Sequence, residues 1–426
     1  MSFRSVAPEA KTIKTLSFVP PRETILSSGH SLFASPKRDL EVLKLVFYWP
    51  VGTAAQPGPM VARAAQSLRL SGNKSLSAEQ IQEGFEYWGA TANPDASLLS
   101  STIVLQTQKQ YLEESLKWLL EQGAEPIFPE KELFVFKQVE TASLLRRMQT
   151  PRYWSGRLCF EGIYGKCSAD TGFANPEDID ALRSEGLKTW FNSQLAYPGA
   201  RLFVSGDFGD KELQILERLM GAVSAASSSV PALPKQETLE KPTHIRHAME
   251  HAQQVSLYMG KAMPQLSMND MQTASFVNMF LGGFFGSRLM QELRETRGLT
   301  YGIGSGLSQA SRGFTWYISG EMNSQNAEEA VAATQQIMKA LSTNPPAGEE
   351  LEKARRYASG QLRAGFDGPF SLPGKWQFLL QNNLPESYYT TYMDRIWSIT
   401  TDEISEFADN YLRPDSFTLA LAGKLT

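Results

Sequence analysis

Residues 247–251 read H-A-M-E-H. Two histidines four apart, with a glutamate before the second, make a zinc site when the segment is helical. The imidazoles then share one face and the carboxylate serves as a general base beside metal-bound water. His244 offers one more imidazole just upstream. The segment, however, leads directly into Q-Q-V-S-L-Y-M-G, whose apolar alternation predicts a strand. On an extended chain His247 and His251 face one way and Glu250 the other, with about 13 Å between the two imidazole positions, too far for one ion. Surface polar residues at a strand entry are the reading these letters support. A metal centre of His247, Glu250 and His251 requires a helix there instead.

A second constellation is longer. Residues 282–306 read G-G-F-F-G-S-R-L-M-Q-E-L-R-E-T-R-G-L-T-Y-G-I-G-S-G. Taken alone, Arg294 among Glu292, Glu295 and Arg297 describes an exposed charged helix that Gly298 ends, with Tyr301 following. The turn at Gly298 can aim Arg294 and Tyr301 toward one cavity. The glycines at 302, 304 and 306 lack the strand-to-helix context and the lysine of a phosphate loop. Other candidates are weaker. His30, in S-S-G-H-S-L-F, reads as a turn residue between short strands. Cys159 and Cys167 are the only thiols, too few for a disulfide scaffold or a cysteine-bound zinc, and read as buried. Glutamate pairs such as Glu113-Glu114 read as solvated helix starts.

The elements that must position these residues come in two sets. Between residues 221 and 242 the chain is rich in serine, alanine and proline, which predicts an extended connector. On either side the same landmarks recur. Phe191, Pro198 and a strand ending at Gly206 match Phe407, Pro414 and a strand ending at Gly423, and P-I-F-P-E-K-E-L ending at Leu133 matches P-P-A-G-E-E-L ending at Leu351; the offsets are 216 to 218. Each half opens on an apolar strand (42–49, 254–260), has a central strand (101–107, 314–320), and continues with long helices (111–122 and 130–148; 327–341 and 348–364). The pattern predicts an α+β class, with two homologous α/β-sandwich halves. The expected divisions are 1–220, a linker at 221–242, and 243–426. A chain of 426 residues with 42 % hydrophobic and 20 % charged residues is an ordinary globular protein of more than one domain. Its net charge of −4 offers no basic surface to nucleic acid or an anionic membrane. No run of eighteen apolar residues occurs and Met1 to Pro21 holds no apolar segment, so a cytoplasmic address is expected.

The stretch S-R-L…E-L-R-E-x-R-G-L-x-Y, together with the duplicated halves, the connector and F-P-E-K-E-L, resembles the M16 (pitrilysin/mitochondrial processing peptidase) family, in particular its two-domain bacterial subunits. The resemblance implies the duplicated LuxS/processing-peptidase-like metallohydrolase fold. It also implies that Arg294 and Tyr301 project into a peptidase cleft. A catalytic chain of that family carries H-x-x-E-H on the first helix of its first half. Laid on P-M-V-A-R-A-A-Q-S-L-R-L-S-G-N-K by its terminal glycine, here Gly72, the ligand positions fall on Arg63 and Ser67 and the base on Gln66. Residues 31–243 contain no histidine, and an arginine would repel zinc. The family's substrate-docking edge strand corresponds to A-N-P-D-A-S, where Pro94 removes a backbone donor.

The resemblance therefore implies a chain without its own metal that lends Arg294 and Tyr301 to a zinc-bearing H-x-x-E-H paralogue, as one half of a heterodimer that cleaves short unfolded peptides. Amide hydrolysis builds charge on the carbonyl oxygen, and a tyrosine hydroxyl beside a guanidinium stabilises that charge. Such a chain is inactive alone, and in isolation it has a homodimer open to it. The alternatives are a non-enzymatic scaffold subunit and a self-sufficient metallopeptidase built on His247, Glu250 and His251.

Overall fold

A computed structural model of the chain describes residues 12–18, 20–36, 41–166, 168–223, 233, 238–239 and 241–425. Most of the connector expected at 221–242, and Cys167, lie outside the described residues. Cys159 is buried, and burial pushes its thiol pKa well up.

Six strands form the first sheet: β1 (Arg22–Ile25), β2 (Ser31–Pro36), β3 (Val42–Trp49), β4 (Thr91–Ala96), β5 (Ser101–Gln108) and β6 (Arg201–Gly206), in the order β1-β2-β6-β3-β5-β4. The second sheet holds β7 (His244–Ala248), β8 (Gln254–Ala262), β9 (Thr300–Gln309), β10 (Phe314–Asn323) and β11 (Thr418–Gly423), in the order β7-β11-β8-β10-β9. Without β1 the two orders coincide. They also coincide in direction: β2–β6 and β7–β11 pair parallel, and the other neighbours antiparallel. The duplication is one of topology as well as of landmarks.

Among the described residues, eight helices belong to the first half: α1 (Val61–Ser67), α2 (Ala78–Tyr87), α3 (Leu112–Gln122), α4 (Glu130–Met148), α5 (Pro151–Tyr164), α6 (Pro176–Asp180), α7 (Ser184–Trp190) and α8 (Asp210–Gly221). Six follow in the second half: α9 (Met268–Asn278), α10 (Ala327–Thr343), α11 (Gly348–Ala364), α12 (Leu372–Gln381), α13 (Tyr388–Ser398) and α14 (Thr401–Tyr411). Local chemistry sets several boundaries. Ser77 and Gln80 form a capping box at α2, and Thr400 and Glu403 form one at α14. Pro151 opens α5 behind the Thr150 cap, and Gly165, at φ 80°, ends it.

Leu43, Leu45, Phe47 and Trp49 of β3 turn one way and are buried in the first core, and Val255, Leu257 and Met259 of β8 with Trp316 and Ile318 of β10 enter the second. Each such side chain contributes on the order of 1.5–3 kcal/mol by leaving water. Arg69, just beyond α1, is fully buried in the first half with no carboxylate. Its Nε donates to Gly123 O (3.1 Å) and its Nη1 to Leu195 O (2.8 Å), while the Trp49, Phe191 and Tyr197 rings surround the guanidinium.

The halves interlock by exchanging equivalent helices. α5, from the first half, lies on the second sheet: Ser155 Oγ meets Ser256 Oγ at 2.8 Å, Tyr164 Oη meets Thr315 Oγ1 at 2.5 Å, and the Cys159 side chain faces Gly260. α12 and the turn before it, from the second half, lie on the first sheet: Lys44 Nζ donates to Phe370 O (3.0 Å) and Gln381 Nε2 to Ser100 Oγ (2.8 Å). Accordingly Val46, Tyr48 and Phe203, on the first sheet's other face, join the second half's core. Residues 12–18 cross as well, with Phe18 stacked on Phe366 and Ile13 O accepting from Trp397 Nε1.

Candidate functional site

Arg294 lies in the π-helical turn Met290–Thr296. Met290 and Leu293 of that turn are buried, so Arg294 is turned outward. The turn closes through Gly298, in the left-handed region at φ 62°, whose N–H donates to Arg294 O (3.2 Å); Leu299 N donates to Leu293 O (2.8 Å). The chain then enters β9 at Thr300. The charges on this turn divide their work. Arg297 is held by Glu292 (2.8 Å) and Glu329 (3.4 Å), and the Glu292 hydrogen bond raises its pKa. Arg294 stands over the Phe285 ring (4.9 Å), with only a 3.5 Å approach to Glu295. No hydrogen bond uses its guanidinium donors among the described residues.

Tyr301 owes its position to a bulge. In the β9–β10 ladder Gly302 pairs with Glu321 and Thr300 with Met322, so Tyr301 is the extra residue with no partner opposite. Thr300 Oγ1 fixes the irregularity by donating to Glu321 O (2.5 Å) and accepting from Gly302 N (3.1 Å). A bulge re-aims a side chain, and this one leaves Tyr301 88 % exposed. Arg294 and Tyr301 line one cavity of about 360 Å³ with Gln254 and Glu321. Tyr301, Gln254 and Glu321 also border a neighbouring cavity of about 580 Å³, floored by Gly302, Gly304 and Ser319 and walled by Arg152 of α5. The glycines at 302, 304 and 306 thus belong to a strand.

Among its described residues the first half offers no metal cradle. Arg63, Gln66 and Ser67 do fall on α1, one helical turn apart. Arg63 Nη2 meets Glu140 Oε1 of α4 at 3.2 Å, and the Gln66 amide, fully buried, donates to Thr102 O at 2.7 Å. A carboxylate facing the helix is the sort of group that would complete a metal site. Here it neutralises a guanidinium, and zinc does not fit these residues. Glu140 is 77 residues from Arg63, and no local pattern announces the pair. β4 is the open edge of the first sheet, with Pro94 opposite Ile103. Lacking an N–H, Pro94 sits with its nitrogen turned away from β5, so the open edge lacks a donor there.

H-A-M-E-H divides between two conformations. His247 is in β7 and packs on the Trp154 ring of α5 (4.7 Å between centroids), whereas Glu250 and His251 lie in the exposed turn after the strand. The expected continuous strand through His251 is corrected: Met249 N donates to Gly423 O, and Ala252 N then closes a turn on Met249 O. No group of three or more His, Cys, Asp or Glu able to hold a metal occurs among the described residues. His30 departs from the expected simple turn residue. It is buried after the β1–β2 turn, with Nδ1 2.8 Å from Ser28 Oγ and Nε2 3.2 Å from Tyr197 O, and burial lowers its pKa.

Comparison with known proteins agrees with this architecture. A family model described as the peptidase M16 inactive domain matches residues 182–357. The non-peptidase homologue YmxG of Helicobacter pylori is 24 % identical over 355 residues, 82 % of this chain and 81 % of that protein. YmxG of Bacillus subtilis, described as an uncharacterized zinc protease, is 21 % identical over 75 % of this chain and 78 % of its own. Among solved structures, a peptidase M16 inactive domain from Pseudomonas fluorescens superposes with a TM-score of 0.85 at 23 % identity, over 96 % of this chain and 99 % of that one. A protease from Helicobacter pylori gives 0.81 at 16 % identity, over 95 % and 99 %. The fold is that of a two-domain M16-like protein. The chain is similar to the M16 peptidase family: residues 182–357 match its inactive domain, and nearly the whole chain shares the fold of its two-domain members. No helix among the described residues is long and apolar enough to cross a membrane.

Proposed function

We propose that this chain is the noncatalytic subunit of a heterodimeric M16-type zinc peptidase. It supplies Arg294 and Tyr301 to a partner that bears H-x-x-E-H and provides the metal and the general base. The observation that carries the reading is the bulge at Tyr301. The fold turns an 88 % exposed tyrosine, and an arginine whose guanidinium makes no hydrogen bond among the described residues, into one open cavity. Such a pair has chemical work only if a reacting group enters from outside. As the scissile carbonyl acquires charge, the Tyr301 hydroxyl donates to the oxygen and the Arg294 guanidinium steadies it. Small residues along β9 and β10 leave room for an extended, unfolded peptide beside them. In this reading residues 1–220 form a domain with a degenerate zinc site, 221–242 a linker, and 243–426 the domain that carries the pair.

A scaffold role without chemistry is the second reading, favoured by the name non-peptidase homologue carried by the Helicobacter pylori relative. Co-purification from the native host, followed by peptide-cleavage assays, separates the two. The heterodimer reading expects an H-x-x-E-H-bearing M16 chain to co-purify, no cleavage by this chain alone, and cleavage by the mixture. Equal cleavage by the partner with and without this chain would leave only the scaffold.

A further inference from the structure

We infer that the outer face of α4 is a self-association surface, joining two copies of this chain across a two-fold axis with their α4 helices antiparallel. α4 buries only Leu133 and Leu144. On its opposite side Phe134, Val135, Val139 and Leu145 are exposed, Phe134 and Val139 by 59 % and 61 %. With Gln138 and Ala142 between them they form one stripe at helix–helix spacing, and Ala142 permits close approach.

The internal repeat shows that the fold does not require this stripe. The offset that aligns Leu133 with Leu351 carries α4 onto α11, and Leu144 onto the likewise buried Leu362. At the places of Phe134, Val135, Val139 and Leu145, α11 carries Glu352, Lys353, Tyr357 and Arg363. The second half keeps this surface mostly charged, whereas the first makes it apolar. A contact outside the fold accounts for the difference.

The charges on α4 identify the occupant. Glu130 and Glu132 stand in its first turn, Arg146 and Arg147 in its last, and none of the four makes an ion pair among the described residues. Laid antiparallel on itself about the midpoint between Val139 and Glu140, the helix brings Phe134 against Leu145 of the second copy and Glu132 against Arg147 of the second copy. The apolar and charged positions are therefore both self-complementary, as an isologous interface requires.

Sedimentation velocity of the full chain over a concentration series tests this. The wild-type chain is expected to form a dimer at micromolar concentration. Val139→Arg should raise the dissociation constant roughly thirtyfold or more, the loss typical of a central contact, with an unchanged thermal transition. Glu132→Arg should weaken the dimer by about two- to fivefold, and adding Arg147→Glu should restore it. A wild-type chain that stays monomeric overturns the inference, as does a Val139→Arg dimer of undiminished affinity or a double variant without recovery. If the wild type is monomeric alone but Val139→Arg abolishes binding of an H-x-x-E-H-bearing chain, the stripe belongs to that partner and the second copy is excluded.

Discussion

Two buried basic residues show how individual side chains bear on stability. His30 is held neutral by burial, against Ser28 and the Tyr197 carbonyl, so its folded pKa lies below the ordinary value of 6.5. The unfolded chain takes up that proton first as pH falls. The contribution of His30 is therefore complete above about 6.5 and is lost as pH falls through the folded pKa. Thermal melts between pH 7.5 and 5 should show a steeper loss for wild type than for His30→Gln; parallel curves would contradict this. Arg69 differs in being charged and enclosed by rings and carbonyls. Arg69→Met leaves Gly123 O and Leu195 O without their donor, at about 1–3 kcal/mol each, partly offset because a charge is no longer buried. The urea midpoint should fall accordingly. That Arg294 and Tyr301 share one cavity was legible because they stand in one uninterrupted stretch with a glycine between them. The placement of Arg63, Gln66 and Ser67 on one helix was legible from the stretch that ends at Gly72. The Arg63–Glu140 pair was not, because it joins residues far apart on two helices.

At the level of elements, the sequence showed most strands and long helices because their apolar patterns are strong: β3, α4 and α11 fall at the expected bounds. Features that depend on a neighbouring strand or helix left no local signal. The bulge at Tyr301 exists only in the register of β9 against β10. The end of β7 before His251 depends on the close of its ladder with β11 at Gly423. The exchange of α5 and α12 follows from which sheet each helix covers, which periodicity does not reveal. Glycines make the α5 contact possible. A Cβ on Gly162 would stand 2.8 Å from Thr243 Oγ1 and 2.9 Å from Thr418 Cγ2. Gly162→Val should wedge α5 off the second sheet and cost about 1–3 kcal/mol. Denaturation followed by tryptophan fluorescence should show a lower midpoint, and an unchanged midpoint would mean that α5 docks loosely.

The molecule as a whole is two copies of one sheet topology tied together by exchanged helices. The copies differ in what they retain. In the first, Arg63 and Gln66 of α1 are engaged in a salt bridge and a buried amide hydrogen bond, and the open edge carries Pro94. In the second, a turn and a bulge present Arg294 and Tyr301 to solvent. This asymmetry underlies the proposed division of labour between two chains, with the metal on one and the oxyanion donors on the other. The most direct test is steady-state peptide cleavage by the mixture of this chain with its H-x-x-E-H-bearing partner, comparing Tyr301 with Tyr301→Phe. The loss of one hydroxyl should lower kcat by about 10²- to 10³-fold with KM little changed. Undiminished turnover by Tyr301→Phe would contradict the account.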